Sequence, residues 1–267
     1  MSGLLSTEEK RGRCRICGKI GKLTVEHIIP RNAGGGRKAE LYDIVDVLKH
    51  GKEARYRQKQ DGLTATTLCE DCNSFLGRKY DKDFGKFYFL VNMAVNNAIS
   101  RALENGEMKN RKELIGKSIS FGLRGIKPFN IAKRLLASFC SIDCDNLIDR
   151  IPEIQKAILE PNYIPNTEDF AIFMSLKNNH YDTFFASMMA IKSDNSVECY
   201  AGIESCYTCF YLKDRRKNED YPDTMDDCVN ITNWLVGFEY DKEYDIQFTF
   251  PFIKTKTLKI PFWKNKN

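Results

Sequence analysis

Four cysteines in two pairs, Cys14-x-x-Cys17 and Cys69-x-x-Cys72, carry the clearest chemistry in this chain. A C-x-x-C turn sets two sulfurs on one side of a metal, and two such turns make a tetrahedral thiolate cage about 2.3 Å from Zn2+. Four thiolates leave no open position for water, so this zinc is expected to be structural. Between the pairs stands Glu26-His27, and Asn73 follows Cys72 directly. Neither feature is needed for zinc. An imidazole with its ordinary pKa of about 6.5 is largely neutral at pH 7 and can take a proton from water. A carboxylate and a carboxamide are hard oxygen donors that suit Mg2+ or Mn2+ better than zinc. A base beside a hard cation is what hydrolysis of a phosphodiester requires: one activates water, the other steadies charge on the leaving oxygen.

Such residues need elements that hold them together. Leu23 to Ile29 is a β-like run ended by Pro30, and Leu63 to Leu68 is a second such run leading into the second cysteine pair. Asn73 to Phe84 reads as a helix starting beside the zinc. Arg31 to Lys38 is a glycine-rich basic loop without the lysine and Ser/Thr of a phosphate-binding P-loop. Ala39 to Lys49 shows helical spacing, with Leu41, Ile44, Val45 and Leu48 on one stripe. Arg55, Arg57 and Lys59 alternate with polar residues as on a solvated strand.

Further along, Phe84 to Asn105 carries the stripe Phe84, Phe87, Tyr88, Val91, Ala94, Ala98 and Ala102 of a buried helix. A short strand is expected at Ser118–Leu123, a helix at Ile131–Phe139 with Pro128 in its first turn, and another helix from about Asp145 to Leu159. Residues 161–167 read as a linker. After them the period changes to that of strands at Asp169–Leu176, Phe184–Ile191, Glu198–Leu212 and Tyr244–Ile260, an expected antiparallel sheet. The expected class is α+β, with an N-terminal metal-stapled module at 1–84, a helical region at 85–162 and a β-rich C-terminal domain at 163–267.

The order Cys-x-x-Cys, Glu-His-Ile-Ile-Pro, Gly-Gly, Leu-Cys-x-x-Cys-Asn, Leu-Gly and then Asp81 resembles the HNH endonucleases. It is most similar to the branch whose ββα-metal core is stapled by a four-cysteine zinc, over about residues 12–84. The resemblance implies His27 as general base, with Glu26 and Asn73 as protein ligands of a catalytic Mg2+ or Mn2+. It also implies Cys14, Cys17, Cys69 and Cys72 as the structural zinc ligands, and metal-dependent cleavage of DNA, favoured over RNA, leaving a 5′ phosphate. Family members with extra domains work in restriction and antiphage defence. The middle position of the motif, usually Asn, is Thr64 here, and the 51 residues between Cys17 and Cys69 make 36–62 look like an insertion between the two strands. Asp81 is a candidate to support the metal site from behind.

Charge agrees with a polyanionic partner. The net charge is +5, and residues 1–84, with 17 Lys and Arg against 12 Asp and Glu, hold all of it. Arg31, Arg37, Lys38, Arg78 and Lys79 are the candidate nucleic-acid contacts. The longest apolar run, Phe87 to Val95, is too short to cross a bilayer, and the N-terminus lacks the pattern of a signal peptide. A cytoplasmic location follows as the expectation, with the six remaining cysteines acting as small reduced hydrophobes. Cys206-x-x-Cys209 lacks a partner pair. The rival function is a zinc-ribbon adaptor that binds nucleic acid without cutting it. A protein partner, or a second copy of the chain, would engage the C-terminal domain.

Overall fold

The first cysteine pair sits in a short hairpin, β1 (Arg11–Arg13) antiparallel to β2 (Ile20–Lys22). The knuckle between them closes at Gly18, whose φ of 75° lies in the left-handed region that favours glycine. The computed structural model describes residues 10–36, 39–42, 50, 56–114, 117–144, 146–177, 184–193, 196–217 and 228–253. Next comes β3 (Thr24–His27), then a single 3-10 turn at Arg31–Ala33.

Strand β4 (Ala39–Tyr42) pairs antiparallel with β5 (Tyr56–Lys59), Leu41 opposite Arg57. This corrects the first four residues of the expected helix at Ala39–Lys49: a ladder to a second strand satisfies the backbone groups that a helix would have satisfied internally. Residues 43–49 lie outside the described residues. Strand β6 (Thr64–Leu68) pairs with β3 across a register shift between Thr24 and Glu26, and leads through Cys69 into helix α1 (Glu70–Lys79). The helix therefore begins three residues before Asn73. It ends at Tyr80, whose φ of −132° breaks it, and α2 (Asp81–Glu104) starts there rather than at Phe84.

Helix α2 buries Phe84, Phe87, Tyr88 and Val91 as its spacing predicts. Beyond them the buried face continues through Val95 and Ile99, while Ala94 and Ala98 are half-buried. The larger side chains gain more from leaving water. Helix α3 (Pro128–Ile142) carries Pro128 in its first turn, and every residue from Pro128 to Ser141 is buried. The helix expected at about 145–159 is two pieces, α4 (Leu147–Arg150) and α5 (Pro152–Leu159), because Pro152 has no N–H to continue the ladder. After them the chain at 161–163 is held by the buried Lys133, whose Nζ donates to the carbonyls of Glu160 (2.7 Å), Pro161 (2.8 Å) and Tyr163 (3.0 Å).

The remaining strands are β7 (Ser118–Ile126), β8 (Phe170–Lys177), β9 (Phe184–Ser193), β10 (Ser196–Ser205), β11 (Thr208–Asp214), β12 (Val229–Asn230) and β13 (Tyr244–Ile253). They form one sheet in the order β7-β13-β8-β11-β10-β9, with β12 beside β8. Two features differ from expectation. The run Glu198–Leu212 is two strands joined by a tight turn at Cys206–Tyr207, and β13 lies parallel to β8, Phe252 opposite Leu176. The sheet also takes β7 from the region expected to be helical.

Strands β8 and β11 are buried along their whole length, so both of their faces are covered, and Lys177, Lys213 and Asp214 are buried with their apolar neighbours. Phe170, Ile172, Met174 and Leu176 turn toward the helices, and Phe84 of α2 meets Phe210 of β11 at 6.2 Å. Ala171, Phe173, Cys209 and Tyr211 form a second cluster on the other face. One continuous core runs from Cys14 to Phe252 and takes in the cysteine turns, the helices and the sheet. Among the described residues, no helix is long and apolar enough to cross a membrane.

Candidate metal centre and active site

The two knuckles converge. One sulfur of each of Cys14, Cys17, Cys69 and Cys72 lies within 4.8 Å of all the others, and Cys17 Sγ is 3.7 Å from Cys69 Sγ. A tetrahedral zinc with sulfurs at about 2.3 Å sets them roughly 3.8 Å apart, so the cage is of the size zinc takes. The chain holds the cage in place from both sides. The Arg15 amide donates to Thr67 O at 3.0 Å, tying the first knuckle to β6, and the Gly18 amide closes its turn on Cys14 O at 2.9 Å. Crowding makes the thiols titrate unevenly. Cys14 falls to about 4, first because the Cys72 thiol hydrogen-bonds to it and further through backbone amides aimed at its sulfur, while Cys72 is raised. A thiolate ready to meet a cation is what metal binding requires. Among the described residues this is the only cluster of three or more His, Cys, Asp or Glu groups close enough to share an ion.

The residues expected around a second metal are neighbours in the chain but face different surroundings. Glu26 and His27 are consecutive on β3, and successive strand side chains leave opposite faces. Glu26 is 4% exposed and turns toward the interior. Its Oε1 accepts the Thr67 hydroxyl, and its Oε2 has no hydrogen-bond partner among the described residues. Burial raises its pKa to about 7 against the pull of Thr67, the Arg134 charge and Ser141.

His27 is half-buried at the end of β3, opposite Thr64 of β6. Its Nε2 lies 2.9 Å from Asp61 O and 3.2 Å from Arg31 Nε. Asp61 O can only accept and Arg31 Nε can only donate, so the two contacts at Nε2 call for opposite tautomers of the ring. The Asn73 amide nitrogen donates to Thr24 Oγ1 at 3.1 Å and to Val25 O at 3.2 Å, which ties the first turns of α1 to β3 and leaves Oδ1 as its acceptor. The hydrogen bond of the Glu26 side chain goes to Thr67, not to His27 or Asn73.

The basic candidates separate. Arg31 is exposed and beside His27. Arg78 and Lys79 are exposed in the last turn of α1, where cations suit the carbonyl end of a helix. Arg37 and Lys38 lie outside the described residues. Asp81 opens α2 and pairs with Arg134, so it stands behind β3 and not on the face of α1 that carries Asn73. Sequence patterns missed Asp61, Thr67, Arg134, Ser138 and Ser141. One signal was available: Arg134, Ser138 and Ser141 are polar residues at i, i+4 and i+7 on one stripe of a helix that is otherwise apolar there.

No family model, curated protein or solved structure matches this chain.

Proposed function

We propose that the chain is a metal-dependent endonuclease of the HNH type that hydrolyses DNA phosphodiester bonds, with restriction or antiphage defence as its setting. The observation that carries this reading is the 2.9 Å contact of His27 Nε2 with Asp61 O. It anchors the ring at Nε2 on a strand–strand–helix frame stapled by four cysteines, and with the proton on Nε2 the nitrogen that can take a proton from water is Nδ1. Water would give its proton to Nδ1 as it attacks phosphorus in line with the leaving 3′ oxygen. Arg31, beside the ring, supplies positive charge for the phosphate.

Glu26 and Asn73 are the residues that would hold a hard divalent cation. The unpartnered Oε2 of Glu26 and the acceptor Oδ1 of Asn73 are the right donor atoms for Mg2+ or Mn2+. When bound, such an ion supplies charge stabilisation at the leaving oxygen.

One observation favours a second reading. The Glu26 carboxylate is buried and hydrogen-bonded inward, as in a zinc-ribbon adaptor that binds nucleic acid without cutting it. Nicking of supercoiled plasmid in Mg2+ or Mn2+, run beside a chelator and beside His27→Ala, separates the two. The nuclease reading expects a loss of about 10²- to 10⁴-fold in His27→Ala, the range for removing a general base. Cleavage that survives His27→Ala removes His27 as the base, and no cleavage with either ion on DNA or RNA leaves the adaptor.

A further inference from the structure

The residues around the end of β3 are gripped from behind by two helices, of which α3 lies wholly outside the stretch resembling a nuclease. From α3, Arg134 is 4% exposed and spreads its guanidinium over three acceptors. Its Nε donates to Asp81 Oδ1, its NH2 group to the main-chain oxygen of His27 at 3.2 Å, and its NH1 group to Ser138 Oγ at 2.6 Å. Ser138 Oγ then donates to the oxygen of Ile28 at 2.8 Å. From α2, the main-chain oxygen of Asp81 accepts the Asn32 side-chain amide at 2.8 Å. Asn32 lies so close to α2 that a Cβ at Gly85 would meet its side-chain amide at 2.6 Å. Asp81 thus serves both helices: its side chain anchors Arg134 and its backbone anchors Asn32.

These bonds hold peptide planes rather than side chains. Two consecutive carbonyls, of His27 and Ile28, are held by α3, and the loop four residues on is held by α2. The direction in which His27 leaves its strand, and so the line from its ring to Asp61 O, is set by groups more than 50 residues away in the chain. The geometry points to Arg134, with Asp81 and Ser138, as the positioning group of His27: it touches no substrate and acts by keeping the imidazole in one orientation and one tautomer. Only arginine offers a planar fork that reaches a carboxylate, a hydroxyl and a carbonyl at once; a lysine keeps the charge for Asp81 and loses the fork. The inference rests on the nuclease reading for its catalytic consequence but not for its structural one.

The test uses full-length protein loaded with zinc, in wild-type, Arg134→Lys and Ser138→Ala forms, with zinc content and melting temperature confirming the folded fraction. The first readout is the ¹⁵N spectrum of the histidine rings, of which the chain has three. Wild-type His27 should show a single tautomer, and Arg134→Lys a mixture, with His50 and His180 unchanged. The second readout is plasmid cleavage in Mn2+. Per folded molecule, kcat should fall about 10²-fold in Arg134→Lys, the penalty for a misplaced catalytic group, and about tenfold in Ser138→Ala, with KM within twofold of wild type. A purely structural role would lower zinc content or melting temperature and leave kcat per folded molecule alone; that result overturns the proposal whatever the tautomer does. If wild-type protein cuts no nucleic acid, the nuclease reading fails by itself, and the ring spectra alone decide: a mixed His27 tautomer in Arg134→Lys upholds the positioning role and an unchanged one overturns it.

Discussion

The cysteine-bearing module and the seven-stranded sheet reach order by different means. In the sheet, β8 and β11 are buried on both faces, and aromatic side chains such as Phe210, Phe248 and Phe250 fill the space under α2. Around β3 and β6 the buried apolar set is small, chiefly Ile16, Leu23, Ile28, Leu68 and Leu76. Polar bonds and four sulfurs take its place. The contrast has a chemical reason. On the proposed nuclease reading, a histidine that meets water and phosphate cannot be walled in by hydrocarbon, so the region around it needs order from another source, and a thiolate-bound ion would supply order without covering the surface. The side of the sheet toward the helices is packed like an ordinary core.

The largest test of this contrast is removal of the metal. A structural zinc contributes on the order of 10 kcal/mol to a small fold, so stripping it with a strong chelator, or Cys72→Ser, should melt the module. Hydrogen exchange read by mass spectrometry should show protection lost across 10–33 and 64–79 and kept in β8 and β11. Equal loss in both regions would mean that the sheet depends on the metal too. The converse test is next in size. Phe210→Ala leaves a void against Phe84 and should cost about 3–5 kcal/mol in urea unfolding, with bound zinc per folded molecule unchanged.

The smallest effect sharpens the comparison at the helix between the two regions. Burial pushes the Lys133 pKa down to about 7, although its three carbonyl acceptors need three N–H donors and only the ammonium has them. The unfolded chain, with a lysine pKa near 10.5, binds the extra proton between those values, so stability should rise with pH from about 7 to 10.5. The slope should be at most about 1.4 kcal/mol per pH unit. Urea midpoints measured across that range should climb in wild type and stay flatter in Lys133→Met; parallel curves would mean that the carbonyls hold the ammonium at its ordinary pKa.

How much of this was legible depended on how local the cause is. The cysteine cage was visible because metal geometry acts through spacing along the chain, and α2 and α3 were visible because burial repeats with the helical period. The tight turn at Cys206–Tyr207 was hidden because neither residue is a usual turn former; Cys206 takes a φ of 49° while the Tyr207 amide is drawn to Asn92 of α2 at 3.1 Å. At Ala39–Tyr42 the apolar spacing suited a helix, and pairing with a distant strand decided otherwise. Glu26 was expected to face the same site as His27. Strand alternation alone argues against that, but only the packed α3 shows where its carboxylate goes. The hold of Arg134 on His27 spans 107 residues, and no local pattern encodes it.

The placing of β13 between β7 and β8 has a consequence for how the molecule is made. Strand β7 finds its ladder partner about 120 residues later, and β8 meets the same neighbour 76 residues on, at Leu176 opposite Phe252. On a ribosome, the cysteine turns emerge early and can take up their ion, while the sheet stays open until residues through Ile253 have been synthesised. Such distant pairings fold slowly. The sheet that α2 and α3 pack against is therefore complete only after nearly the whole described chain exists.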